Sequence, residues 1–401
     1  MYEAMAILAG FVFCYSLSAG ALERTPVNGA LLFAAFGLLF GPLGLGWLDL
    51  DVSAEGLRTL AEFTLAMVLF TDASNANLGV LKKSFHIPQR LLLIGLPLTI
   101  LLGFGVGALL RGALTLFEVA ILATMLAPTD AALGKAVVTD DRVPPEIREG
   151  LNVESGLNDG ICVPILFVFL ALAVAEAGHG DGEIKPLMLV VEEIGVGAGV
   201  GLALTLLGTW AIGQTSARGW IDATWHQLPV PALALCCFAL AQILGGSGFI
   251  AAFVGGLLFG AIAKTHKPKL LLAAEGTGDT LALITWVVFG AAVVGQTIDS
   301  FSWQIVLYAL LSLTIVRMLP VFLVLHGMSL RAKEKLFMGW FGPRGLASIV
   351  FVVIVLNNDL PGGDVIALTA VCTILLSVIL HGISANPLVK ALKGRIQKNA
   401  A

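Results

Sequence analysis

The sequence predicts an all-α polytopic membrane protein, and three observations carry that prediction. Apolar runs of about 20 residues, long enough to cross a bilayer as helix, recur along nearly the whole chain. Only 12% of the 401 residues are charged, against roughly 25% in a soluble domain, while 58% are hydrophobic and mean hydropathy is +0.94. Lysine and arginine also gather in every second connection. No stretch is long and polar enough for a separate soluble domain, so a single integral membrane domain over 1–401 is expected. The net charge of −4 then says little about partners, and no nucleic-acid partner is expected.

Thirteen candidate helices follow in order, at about 4–22, 27–46, 57–75, 90–110, 115–137, 147–176, 187–213, 229–245, 248–264, 279–296, 302–325, 334–356 and 364–386. The first lacks the basic start and small-residue cleavage site of a removable signal peptide, so it is expected to be retained. Cys14, Cys162, Cys236, Cys237 and Cys372 all lie within apolar runs without paired spacing, and read as small core residues. If the N-terminus lies outside, only Arg58, Arg111 and Lys185 among the loop cations face outward. Arg317 and Arg344 lie inside apolar segments, and every other Lys and Arg of the 23 falls on the inner side. That excess predicts an outside N-terminus and a cytoplasmic C-terminus, in a prokaryotic inner membrane. An even helix count would scramble the alternation.

Charges left within the membrane are costly and are functional candidates by default. Glu118 and Asp364 begin helices, where the dipole favours them, and Glu192 and Glu193 read as interfacial. Glu62 and Asp72 lie on the third helix, with Asp72 near its cytoplasmic end, where it is either interfacial or part of a site. Residues 127–130, APTD, are different. Pro128 has no N–H, so it leaves the Thr124 carbonyl without its helical partner and breaks the fifth helix beside Thr129 and Asp130. Unwound backbone at membrane depth is tolerated where protein or a wet cavity surrounds it, and its freed carbonyls can coordinate a cation.

The sixth helix carries NVESGLNDG, residues 152–160. Ser155 and Asp159 are four apart, as are Glu154 and Asn158, so two polar stripes share one side, extended by Asn152. The twelfth helix is interrupted by GWFGPRG, residues 339–345, where Pro343 frees the Gly339 carbonyl beside Arg344. Helices 1–6 and 8–13 then read as two inverted six-helix repeats (about 1–176 and 229–390) around a linker helix at about 187–213, with breaks at matching positions. Such matched breaks point to a transporter's midplane site. Arg344 needs a counter-ion, with Glu154 the expected partner and Arg317, in VRMLP, the alternative.

ESGLNDG with PTD upstream and GPRG in the penultimate helix resembles the monovalent cation/proton antiporters, specifically the NhaP-type sodium/proton exchangers, over the whole chain. The resemblance implies thirteen helices with a core and a dimerisation domain, crossing at helices five and twelve, and a homodimer. It also implies that Asp159 carries cation or proton, that Thr129, Asp130 and Ser155 help line the site, and that Glu154 pairs with Arg344. In one respect the chain departs from the family: LFTDAS has Thr71 where relatives often carry glutamate, with Asp72 one residue on.

The chemistry follows from the residues as well. A carboxylate in a semi-dry site holds either a proton or a hard cation, because both need the same oxygens. Asn158 beside Asp159 adds an oxygen without a second charge. A single titrating carboxylate predicts one-for-one, electroneutral exchange of a monovalent cation (Na+, with Li+ or K+ as alternatives) for H+, in the service of pH homeostasis. No cofactor is expected. A cation channel would call for a filter motif or acid rings. An embedded enzyme would call for a GxSxG or HExxH motif, and neither occurs.

Overall fold

A computed structural model describes residues 2–22, 29–48, 54–76, 86–110, 112, 114–138, 140, 142–179, 184–222, 225–263 and 267–396. Among them the secondary structure is helical, without strands. Arg24, Lys82, Lys83, Arg111, Lys264 and Lys398, which carry part of the expected loop asymmetry, lie outside the described residues.

The helices are α1 Tyr2–Leu22, α2 Gly29–Phe40, α3 Ala54–Asn75, α4 His86–Leu110, α5 Leu116–Met125, α6 Ala131–Val138, α7 Pro145–Val174 and α8 Ile184–Ala217. After these come α9 Pro229–Ile243, α10 Gly248–Ile262, α11 Lys267–Val288, α12 Trp303–Leu313, α13 Ile315–Val324, α14 Ala332–Trp340, α15 Leu346–Leu356 and α16 Gly363–Ile396. Eight helices among the described residues are long and apolar enough to cross a membrane, and four shorter apolar ones (α2, α5, α10 and α15) accompany them. The protein is a multi-pass integral membrane protein.

Both expected interruptions are present. The run at 115–137 is two helices, α5 and α6, and the run at 334–356 is α14 and α15. A third break was not expected: 302–325 divides at Thr314, which leaves the helical region (φ −109, ψ −92) while its hydroxyl donates to the Leu310 carbonyl (2.6 Å). The tenth candidate helix also begins earlier than 279, at Lys267, so Glu275 and Asp279 lie within it. The five cysteines carry free thiols; Cys162, Cys237 and Cys372 are buried, while Cys14 and Cys236 are exposed.

The chain divides into two compact units. The first comprises 1–58, 86–155 and 283–401; the second comprises 59–85 and 156–282. In the first, α2 packs against the end of α11 and the segment after it backbone to backbone: a Cβ on Gly37 would lie 2.0 Å from the Val287 carbonyl oxygen, and one on Gly290 2.1 Å from that of Ala34. In the second, α3 and α10 approach as closely. A Cβ on Gly256 would lie 2.3 Å from the Phe70 oxygen, and the Ser74 hydroxyl donates across to the Gly256 carbonyl (3.0 Å). With no hydrophobic force between helices in lipid, small residues and such bonds are what hold them together. Gly156 of α7 meets α3 in the same unit, where a Cβ would come within 3.3 Å of the Asp72 carbonyl oxygen.

Candidate functional site

α5 starts with a capping box, Thr115 with Glu118, as a helix with an acid at its third position should. Glu118 does more than favour the dipole. It is 1% exposed, and its carboxylate accepts both the Thr115 N–H (2.8 Å) and the distant Gly362 N–H (2.6 Å), tying α5 to the loop before α16. The helix ends at Met125, ahead of Pro128, and its last carbonyls find new donors. Thr124 accepts from the Ala127 N–H (3.2 Å) and is not left open as expected, whereas the Met125 carbonyl accepts from the Ser348 hydroxyl (2.8 Å).

The two breaks meet each other. The Asp130 N–H donates to the Pro343 carbonyl (2.8 Å). The Asp130 carboxylate accepts the Leu133 N–H (3.0 Å) at the start of α6 and the Leu346 N–H (2.8 Å) at the start of α15. One acid therefore sits at two helix N-termini, where the dipole favours it. Arg344 does the converse. Its Nη1 donates to the carbonyls of Ala127 (3.0 Å) and Pro128 (3.1 Å), beyond the C-terminal end of α5. The fit around Asp130 requires glycine at 345, because a Cβ there would lie 2.0 Å from Asp130 Oδ2.

Arg344 is consequently not the partner of Glu154. The ion pair is Glu154 with Arg317, bidentate at 2.6 and 2.7 Å, both residues 1% exposed. The expected Glu154–Arg344 pair is corrected. Arg344 is held by the peptide carbonyls that the first break exposes, and Arg317, three residues past the break at Thr314, is presented to α7. The pair reaches the second break too: a Cβ on Gly342 would lie 2.5 Å from Arg317 Nε and 3.0 Å from Thr129 Cγ2.

Thr129 and Ser155, singled out separately in the sequence, are brought together with their hydroxyl oxygens 2.9 Å apart. Thr129 is 1% exposed and Ser155 7%. Asn158 (0% exposed) and Asp159 (7%) lie one turn further along α7, in the second unit. Asp72 is half-buried beside Gly156 in that same unit. Asn152, expected to extend the polar stripe, is exposed. In the connection between α6 and α7, Arg142 is hydrogen-bonded to Asp140 and holds its carboxyl below the usual value.

Sequence reasoning missed His381 and Ser377. The Ser377 hydroxyl accepts the Arg344 N–H (2.7 Å), and His381 Nε2 lies 2.8 Å from the Trp340 carbonyl, which ends α14. The backbone around the GPRG segment is thus anchored to α16 at two points, Trp340 and Arg344. A signal was available: Thr369, Thr373, Ser377 and His381 recur every four residues, one buried polar stripe on a long apolar helix.

Comparison with known proteins bears on the family and the fold. The profile of a family described as "Sodium/hydrogen exchanger, transmembrane" matches residues 9–391. A probable Na+/H+ antiporter of Schizosaccharomyces pombe is 23% identical over 366 residues, which are 86% of this chain and 48% of that protein. The chain therefore spans about half the length of that relative. The K+/H+ antiporter NhaP of Alkalimonas amylolytica is 22% identical, covering 98% of this chain and 68% of its own. In fold, the sodium proton antiporter MjNhaP1 from Methanocaldococcus jannaschii superposes with a TM-score of 0.77 at 24% identity, covering 98% of this chain and 99% of its own. A match from near the first helix to the end of the last, with both breaks and the ESGLNDG helix inside it, places the chain in the sodium/hydrogen exchanger family.

Proposed function

We propose that the protein exchanges a monovalent cation for H+ across the membrane by alternating access, one for one, with sodium as the cation and Asp159 as the group that carries either load. The single observation that supports it best is a carboxylate 93% removed from solvent on a helix whose preceding turn meets a broken helix through Ser155 and Thr129. Asn158, Ser155 and Thr129 offer neutral oxygens to a hard cation, and Asp159 supplies the one charge that the cation or the proton cancels. An empty, charged carboxylate crosses an apolar barrier poorly, so the carrier moves loaded and the two fluxes are coupled.

Asp130 enters this reading as a positioning residue, since both of its oxygens already accept backbone N–H groups. Glu154 is already engaged by Arg317 in a bidentate ion pair and is not counted as a carrier in this reading. Asp72 is a candidate substitute for the glutamate that relatives often carry. The reading includes a homodimer in a prokaryotic inner membrane, with core and dimerisation domains, two inverted repeats, N-terminus outside and C-terminus cytoplasmic.

Potassium is the second reading, favoured by the name of the Alkalimonas relative. Proton efflux from vesicles carrying the purified protein, driven by Na+, Li+ or K+ in turn, separates the cations. Asp159→Asn is expected to abolish efflux with every cation while leaving thermal unfolding unchanged. Substantial exchange by the folded variant removes Asp159 as the carrier.

A further inference from the structure

α14 follows its N-cap Arg331, on the side where the loop cations are expected to gather, and runs nine residues from Ala332 to Trp340, a length of about 13 Å. Along it, Met318 of α13 and the end of α16 complete a cavity of about 680 Å³. Its deeper wall is apolar, built from Leu336, Trp340 and Leu392, and Leu336 is 44% exposed. Its outer end holds Arg331 and Lys333, both exposed. The acid in between, Glu334, has its carboxylate turned back on the Arg331 N–H (2.8 Å), where it caps α14. The cavity is thus amphipathic along α14: two cations at its start, and an aliphatic and aromatic slot toward its end.

We propose that this cavity binds an anionic phospholipid, with the phosphate between Arg331 and Lys333 and an acyl chain along Leu336 toward Trp340. Two surface cations near the headgroups attract an anionic lipid, and the apolar wall takes a chain that free phosphate lacks. Occupancy bears on the second break, because Trp340 lines the slot while its carbonyl meets His381 and its indole N–H donates to Ser384 Oγ (2.8 Å). The assignment rests on the membrane orientation expected from the loop cations and is independent of the exchange reaction.

The test is thermal unfolding of the full-length protein in neutral detergent, titrated with phosphatidylglycerol, phosphatidylcholine or inorganic phosphate. Phosphatidylglycerol is expected to raise Tm saturably, and the other two are not. The double variant Arg331→Ala/Lys333→Ala changes two exposed side chains, so its lipid-free Tm should match the parent while its apparent affinity falls about tenfold or more. Ala391→Trp, at an exposed lining position, should block the same response by filling the slot. An equal response to phosphatidylcholine, a response to phosphate alone, or an undiminished response in either variant overturns the proposal. No transport is read, so its failure would leave the antiport reading standing.

Discussion

Glu154 and Arg317 form a fork-to-fork pair with almost no solvent around either, and each makes the other tolerable. Removing one partner of such a pair strands a charge in low dielectric, typically at a cost of about 3–5 kcal/mol. Arg317→Ala and Glu154→Ala should each lower thermal stability markedly. The double variant should lose less than the sum, because it strands nothing. The same cycle between Glu154 and Arg344 should show weaker coupling, since the Arg344 guanidinium is engaged by the Ala127 and Pro128 carbonyls. Stronger coupling to Arg344 than to Arg317 would overturn the pairing.

At the scale of elements, the two broken helices are complementary in charge. The C-terminal end of α5 carries partial negative charge and faces Arg344, while the N-terminal ends of α6 and α15 carry partial positive charge and face Asp130. Asp130→Asn can keep only one of the two caps, because its amide nitrogen is a donor facing a donor. It should lower both exchange rate and Tm, unlike Asp159→Asn, which should lower exchange alone. Gly345→Ala drives a methyl group into the same carboxylate, so it should produce the same double defect. Combined with Asp130→Asn its effect should fall short of additive, because both changes damage one contact. Additive losses in Tm would show that Gly345 acts elsewhere.

For the whole molecule, the proposed assignment of one charge-changing carboxylate, Asp159, bears on the energetics of transport. If either load neutralises Asp159, as proposed, no net charge crosses per cycle, and an imposed membrane potential should leave the steady-state ion gradient unchanged. A gradient that follows voltage would require a second titrating acid, with Asp72 and Asp130 next in line. Competition at one site also predicts pH behaviour. As pH falls the proton displaces the cation, so the apparent KM for the cation should rise while the rate at saturating cation is affected less. A pH effect confined to the saturating rate would contradict a shared site.

Membrane class, helix order and both proline breaks are legible in residue order because their causes are local. Apolar run length sets what can span lipid, and Pro128 and Pro343 each remove an N–H from their own helix. The Ser155–Asp159 stripe is legible for the same reason, since four residues make about one helical turn. The break at Thr314 is not, because the residue stays compatible with helix and no proline stands there. Nor is the partner of Glu154. Arg317 and Arg344 are chemically equivalent candidates on a linear chain, separated from Glu154 by 163 and 190 residues, and only the packing of α13 against α7 delivers one of them. His381 and Ser377 escape notice likewise, since their value lies in reaching the Trp340 carbonyl and the Arg344 N–H on another helix. Local chemistry names the groups that must be satisfied, and the tertiary arrangement decides which of them satisfy one another.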